Sequence, residues 1–326
     1  MFGRKVLLPL ICGLTLFAGA ASAQTEIKFG HVGAPNSLFA QSAEEFAKRA
    51  NAKLGNKAKV VVYGSSQLGS DTELLKKLKL GTVDLALPST VMTSVAAEFG
   101  VFEMPYLVQD RGHAARIANA VVRPILGPIV EKAGYRIIGV WENGYREITN
   151  NKRPIVKPAD LDGIKLRVPG GVWRVKMFKA YGANPSPMEL KEVFVALQTG
   201  VMDGQENPLT QIYSQKFQEV QKFLSLTGHV YTPAYVTAGA SWSRLPADVQ
   251  KTLADTAKEV EPDVLKLAAK LDGELIGKMK TSGIKVNDAD KPAFVAASKA
   301  IYEEFAKQVP TGKQLIDKSL SLAKGS

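Results

Sequence analysis

A chain of 326 residues that is 45% hydrophobic, with no low-complexity stretch or repeat period, is long for one core and predicts two lobes. Its formal charge of +11 points to anionic partners. The lysines are spread over helical faces (Lys48-Arg49, Lys76-Lys77, Lys278/Lys280), and no basic run carries interleaved aromatics, so nucleic acid is not an expected partner. The single cysteine, Cys12, falls in an N-terminal segment expected to be removed, which excludes a disulfide framework, a Cys-ligated metal site and a thiol nucleophile from the remainder.

That N-terminal segment is read as a secretory signal over 1–23. Arg4 and Lys5 precede a nearly all-apolar run over 6–20, and Ala21-Ser22-Ala23 predicts cleavage before Gln24. The run is shorter than the ~20 residues a spanning helix needs. Without Arg4 and Lys5 the chain keeps 40 basic against 31 acidic residues, or +9.

Residues 26–32 alternate apolar and polar and predict a strand. Asn36 or Ser37 can cap a helix that places Phe39, Ala43, Phe46, Ala47, Ala50 and Leu54 on one face, with Gly55 ending it. A strand over 60–63, a polar turn over 65–69, a helix over 71–80 and a strand over 83–87 follow. The second half repeats the theme, with strands over 136–140 and 164–168 and helices over 172–181 and 193–199. A short apolar step at 201–203 then leads into a turn at Glu206-Asn207-Pro208. Residues 235–240 are β-like. Helical spacing runs from 248 to 279 with Pro262 as a kink or break, and a last amphipathic helix spans 293–309. Alternating strands and helices predict an open α/β sheet. A crossover between lobes is placed near 141–145, where a strand runs into Glu142-Asn143-Gly144.

Arg167 lies in Gly163-Ile164-Lys165-Leu166-Arg167-Val168-Pro169, an apolar strand-like run. A guanidinium held there is costly unless it meets an anion, and its fork suits a planar carboxylate. The partner is either an external ligand or an internal carboxylate such as Glu206. Asn207 precedes Pro208, so its backbone is held extended and its amide has a defined direction.

The segments 163–169 and 195–208, together with Tyr63-x-Ser65-Ser66-Gln67-Leu68-Gly69 and Arg146-x-x-Thr149-Asn150, resemble the periplasmic solute-binding proteins of tripartite ATP-independent periplasmic (TRAP) transporters. The resemblance runs over nearly all of the chain after the signal. It implies a two-lobed periplasmic binding protein fold of the α/β class with a ligand cleft between lobes. Lobe I would be 24–143 plus about 233–272, and lobe II 144–232 plus about 273–326. Strand hinges and a long helix would join them. It also implies capture of a small organic acid in the periplasm and its delivery to integral-membrane TRAP permease subunits, without ATP, cofactor or metal. On this pattern Arg167 pairs bidentately with the ligand carboxylate, Arg146 is a second contact, and Asn207 orients the ligand. Trp173 and Tyr231 are further candidates to wall the pocket. Ser89, after the third strand, sits where ligands of open α/β sheets bind. Relatives that bind sialic acid carry a glutamate near Ser89, so that ligand is not expected. No acidic residue of the matched segments points clearly at the two arginines.

The rival reading is a secreted hydrolase or lyase with an arginine-based anion pocket. His31, His113 and His229 form no metal-binding set, and no G-x-S-x-G, G-x-G-x-x-G or Walker loop is present. The acid itself is left open. Trp173 and Tyr231 favour an aromatic carboxylate, whereas Ser89 and Asn207 favour a hydroxylated or dicarboxylic one.

Overall fold

The structure, a computed structural model, describes residues 24–323. The signal segment 1–23, with Cys12, lies outside the described residues. The strands are β1 (Thr25–Gly30), β2 (Ala58–Tyr63), β3 (Leu85–Ala86), β4 (Arg136–Asn150), β5 (Lys165–Val168), β6 (Asn184–Pro187), β7 (Gly204–Pro208), β8 (Phe223–Leu226), β9 (Tyr231–Ala238) and β10 (Lys285–Asp288). They form a continuous sheet in the order β2-β1-β3-β9-β4-β7-β5-β6, with β8 and β10 branching from β4.

The first helix, Leu38–Leu54, starts at Ser37 and not at Asn36. The Ser37 hydroxyl accepts from the Ala40 N–H at 3.2 Å, while Asn36 sits at a φ of +62°. Phe46 of this helix meets Phe29 of β1 edge-on at 5.5 Å, and both pack against Trp141 of β4. The helix Asp71–Leu80 opens with a reciprocal box between Ser70 and Glu73, which satisfies two N–H groups at its start. That box fixes where Asp71, its first residue, lies.

β4 is the central connection. Sequence pattern predicts a strand of 136–140, but β4 runs on to Asn150 because its second half has its own partners. Residues 136–145 pair with β9, 146–150 pair with β7, and 148–150 also pair with β8. Gly144 sits at the changeover in an irregular register with a φ of +129°, and a Cβ there would come within 3.0 Å of Pro208. Glycine is what this bend accepts.

The expected turn at Glu206-Asn207-Pro208 is instead part of β7, antiparallel to β4 and parallel to β5. Polar residues mimic a turn in sequence, yet all five positions of β7 are buried and their polar groups are bonded inside the protein.

Pro262 separates two helices, Ala247–Glu259 and Glu261–Thr281, and stands in the first turn of the second. The longer helix buries Val264 and Ala268 in the larger core and Leu275 and Met279 in the smaller one, so it ties the two together. The expected 293–309 helix is broken at Ser298, whose hydroxyl donates to the Phe294 carbonyl at 2.6 Å, giving Lys291–Ala297 and Lys299–Gln308. A further helix, Gly312–Ser321, returns to the 97–126 region. There His113 Nε2 lies 2.7 Å from the Ser319 carbonyl and Arg116 Nε donates to that of Leu322. This end of the chain therefore packs against the first part of the molecule as well as against the helix Lys299–Gln308.

Candidate functional site

A small cavity lies where the two halves of the sheet meet. Ser89, just past β3, and Asp71 face it from one side. Arg146 of β4, Arg167 of β5 and Asn207 of β7 face it from the other. Val32, Phe39, Val91, Pro169 and Leu190 supply apolar walls. Lys191 and Glu73, 3.4 Å apart, link the helix Leu190–Gln198 to the helix Asp71–Leu80. Both are about half exposed, so this pair contributes little energy.

Arg167 is 3% exposed. Its Nε donates to the Met188 carbonyl at 2.9 Å, and Nη2 donates to the same oxygen. Among the described residues no carboxylate lies within 4.0 Å of it. Burial, reinforced by the Arg146 charge, pushes its pKa down to about 10. It stays charged at neutral pH and lacks a counter-ion in contact.

Glu206, the internal partner considered for Arg167, is taken by two other guanidiniums. Arg146 Nε donates to Oε2 at 2.5 Å and Nη2 to Oε1 at 3.0 Å; Arg174 Nη1 donates to Oε2 at 2.6 Å. Arg174 also bonds Glu103 at 2.7 Å, and His229 Nε2 lies 3.1 Å from Glu206. Burial alone would raise Glu206, but Arg146, Arg174 and the His229 bond hold it far below the usual carboxylate range. This corrects the expectation that no acid of the matched segments engages the arginines. Arg146 lines the cavity but spends most of its fork on Glu206.

Arg146 has a second effect. Its Nη2 donates to Asn207 Oδ1 at 3.1 Å, and Asn207 Nδ2 donates to Gln205 Oε1 at 2.6 Å. Gln205 Nε2 donates in turn to Thr149 Oγ1, and that hydroxyl to Gln221 Oε1, both at 2.9 Å. The relay fixes which end of the Asn207 amide is which and leaves it a second N–H to offer.

Two sequence candidates are not on this cavity. Trp173 is 2% exposed and packs edge-on against Phe305 at 5.1 Å, with Lys176 over its ring at 4.7 Å. Its indole fills the space that Gly100 leaves, where a Cβ would come within 2.5 Å. Tyr231 packs against Tyr145 at 5.0 Å, and its hydroxyl lies 3.5 Å from Glu142. Strand alternation puts its neighbour Thr232 on the other face, where it meets Asn143. The aromatic-acid reading thereby loses both of its rings.

Asn143, Asp71 and Gln211 line the cavity although no motif marks them. Asn143 stands in the Glu142-Asn143-Gly144 crossover, and Asp71 reads from sequence as an ordinary first-turn helix acid. A larger open groove is bordered by Glu147, Asp272 and Asp288, with Lys291 as its one cation among the described residues. Asp272 and Asp288 offset that lysine, so the groove offers an anion no surplus of positive charge despite its size.

Residues 29–308 match the family of bacterial extracellular solute-binding proteins, family 7, and the chain belongs to that family, the solute-binding proteins of TRAP transporters. It is 32% identical over 310 residues to the 2,3-diketo-L-gulonate-binding periplasmic protein of Escherichia coli, covering 94% of each chain. Among solved structures it resembles a TRAP periplasmic solute-binding protein of Sulfurospirillum deleyianum with bound succinate (TM-score 0.87, 34% identity, 92% of this chain and 99% of that one). It also resembles one of Haemophilus influenzae with bound L-gulonate (TM-score 0.87, 29% identity, 92% and 100%). The two-lobed α/β architecture expected from sequence is the one these proteins share. No helix among the described residues is long and apolar enough to cross a membrane.

Proposed function

We propose that this chain captures a small organic carboxylate in the periplasm and passes it, chemically unaltered, to the membrane subunits of a TRAP-type secondary transporter. The observation that carries the reading is Arg167, a buried guanidinium on a cavity between the sheet halves with no carboxylate in contact. An incoming carboxylate supplies the missing charge and accepts in the geometry the fork presents. Arg146 acts chiefly by holding Asn207, which offers its N–H to the ligand, and Ser89 shapes the opposite wall. Relatives that are solute-binding proteins over nearly the whole length support capture without catalysis.

The lobes in this reading are 24–143 with about 233–272, and 144–232 with the chain from about 273 to the Lys299–Gln308 helix. They pivot at Gly144 and at the start of β9. A ligand that touches both would favour the closed arrangement through its higher affinity for that state.

A thermal-shift screen of mono-, di-, hydroxy- and aromatic carboxylates, with neutral sugars as controls, tests the reading. A ligand at a hundred times its Kd adds about 2.7 kcal/mol, a shift of several degrees in Tm for a chain of this size. At least one carboxylate should produce such a shift and the neutral sugars none. A neutral sugar that stabilises as strongly as the best acid would overturn it.

A further inference from the structure

We infer that the captured acid is a hydroxylated monocarboxylate, an aldonate-like molecule, whose hydroxyls donate to Asp71, Asn143 and Gln211 while Arg167 holds its carboxylate. This rests on the carboxylate-capture reading and names the substrate class within it. The relatives do not decide the class, since one similar structure holds succinate and another L-gulonate. The cavity's hydrogen-bond inventory does.

Three oxygens on residues lining the cavity are sealed from solvent and receive no hydrogen bond: Asp71 Oδ1, Asn143 Oδ1 and Gln211 Oε1. The direction of the Asn143 amide follows from its neighbours. The Ser89 hydroxyl gives its hydrogen to the Pro233 carbonyl at 2.6 Å, and that of Thr232 goes to Gly144 at 3.3 Å. Both hydroxyl oxygens can then only accept, and Asn143 Nδ2 donates to each at 3.2 Å. Its carbonyl oxygen is left without a donor. Asp71 lies in the first turn of its helix, yet Oδ1 takes none of the helix N–H groups. Burial, with Glu189 adding and Arg167 opposing, pushes its pKa up to about 7.

Buried acceptors without donors are costly, and a ligand that fills the cavity must supply those donors or leave the cost in place. A hydroxyl has a hydrogen to give. The second carboxylate of a dicarboxylate has none when ionised, and it would bring a negative charge towards Asp71. Rejection of the molecule lacking the hydrogen-bonding group is the stronger kind of discrimination, because the site's polar groups are then left unpaired.

The test is titration calorimetry at neutral pH with probes that share a four-carbon chain: D-erythronate, succinate and butyrate. L-Gulonate serves as a longer aldonate. For the unmodified chain an aldonate should bind at least tenfold tighter than succinate or butyrate. Asp71→Ala should lose at least tenfold for the aldonate and less than threefold for butyrate. Asp71→Asn, which keeps shape and an acceptor oxygen, should retain most aldonate affinity and serves if the alanine variant does not fold. Succinate or butyrate binding more tightly than both aldonates would overturn the inference while leaving carboxylate capture standing. So would an Asp71→Ala variant that loses aldonate and butyrate equally. Failure of every carboxylate to bind would overturn the capture reading itself.

Discussion

Arg167→Ala is expected to weaken binding of the captured acid by thirtyfold or more. Truncating one member of a buried charge pair costs about 2–5 kcal/mol, and a thirtyfold loss corresponds to roughly 2 kcal/mol. The loss falls on binding and not on folding, because the Arg167 side chain has the Met188 carbonyl as its protein acceptor and no carboxylate in contact. Arg167→Lys should also lose much of the affinity, since a point charge does not reproduce a planar fork. Calorimetry measures the loss and chemical denaturation checks that the variant is folded. A near-native affinity for Arg167→Ala would remove the residue from the site.

Glu206→Gln is expected to act on stability instead. Glu206 is fully buried between Arg146 and Arg174, and the substitution leaves Arg146 without a counter-charge and Arg174 with Glu103 alone. Breaking a buried pair from one side costs about 3–5 kcal/mol. The pH dependence has a definite sign. The folded-state pKa of Glu206 is depressed below its ordinary value of 4.5, so its contribution is complete above that value. It declines as the pH falls towards the lower folded-state value. Between neutral pH and about pH 5 the cost of Glu206→Gln should therefore be constant, and it should shrink in stronger acid. Denaturant titration at several pH values measures both features. A cost below about 1 kcal/mol, the range of an exposed pair, would contradict the assigned role.

Much of the fold is legible because most elements are local. The Ser70/Glu73 box, the apolar face of Leu38–Leu54 and the Pro262 break are written in neighbouring residues. What escapes is set by partners distant in sequence. β4 is three times the length its apolar run shows because β7 and β8 arrive to pair with its second half. β7 has the composition of a turn and becomes a strand because β4, β5 and two arginines satisfy its polar groups.

The site divides in the same way. Arg167 stands out because a guanidinium in an apolar strand is anomalous by itself. Arg146 stands out too, but its partner Glu206 lies sixty residues away and Arg174 looks like one more basic residue on a helix. Trp173 and Tyr231 carry large apolar surfaces that suit a pocket or a core equally, and the facing of a helix or a strand decides between them. Asp71, Asn143 and Gln211 become conspicuous only when their hydrogen bonds are traced and found incomplete.

The most direct measurement of the central claim is a competition between the most stabilising acid of the thermal screen and its primary amide. The two differ little in shape, but the amide lacks the charge that Arg167 awaits and leaves the guanidinium desolvated without its partner. The acid should bind more tightly by about 2–5 kcal/mol, thirtyfold or more. An amide that binds within about threefold of the acid, well under the ~1.4 kcal/mol of a tenfold step, would show that Arg167 does not read a carboxylate.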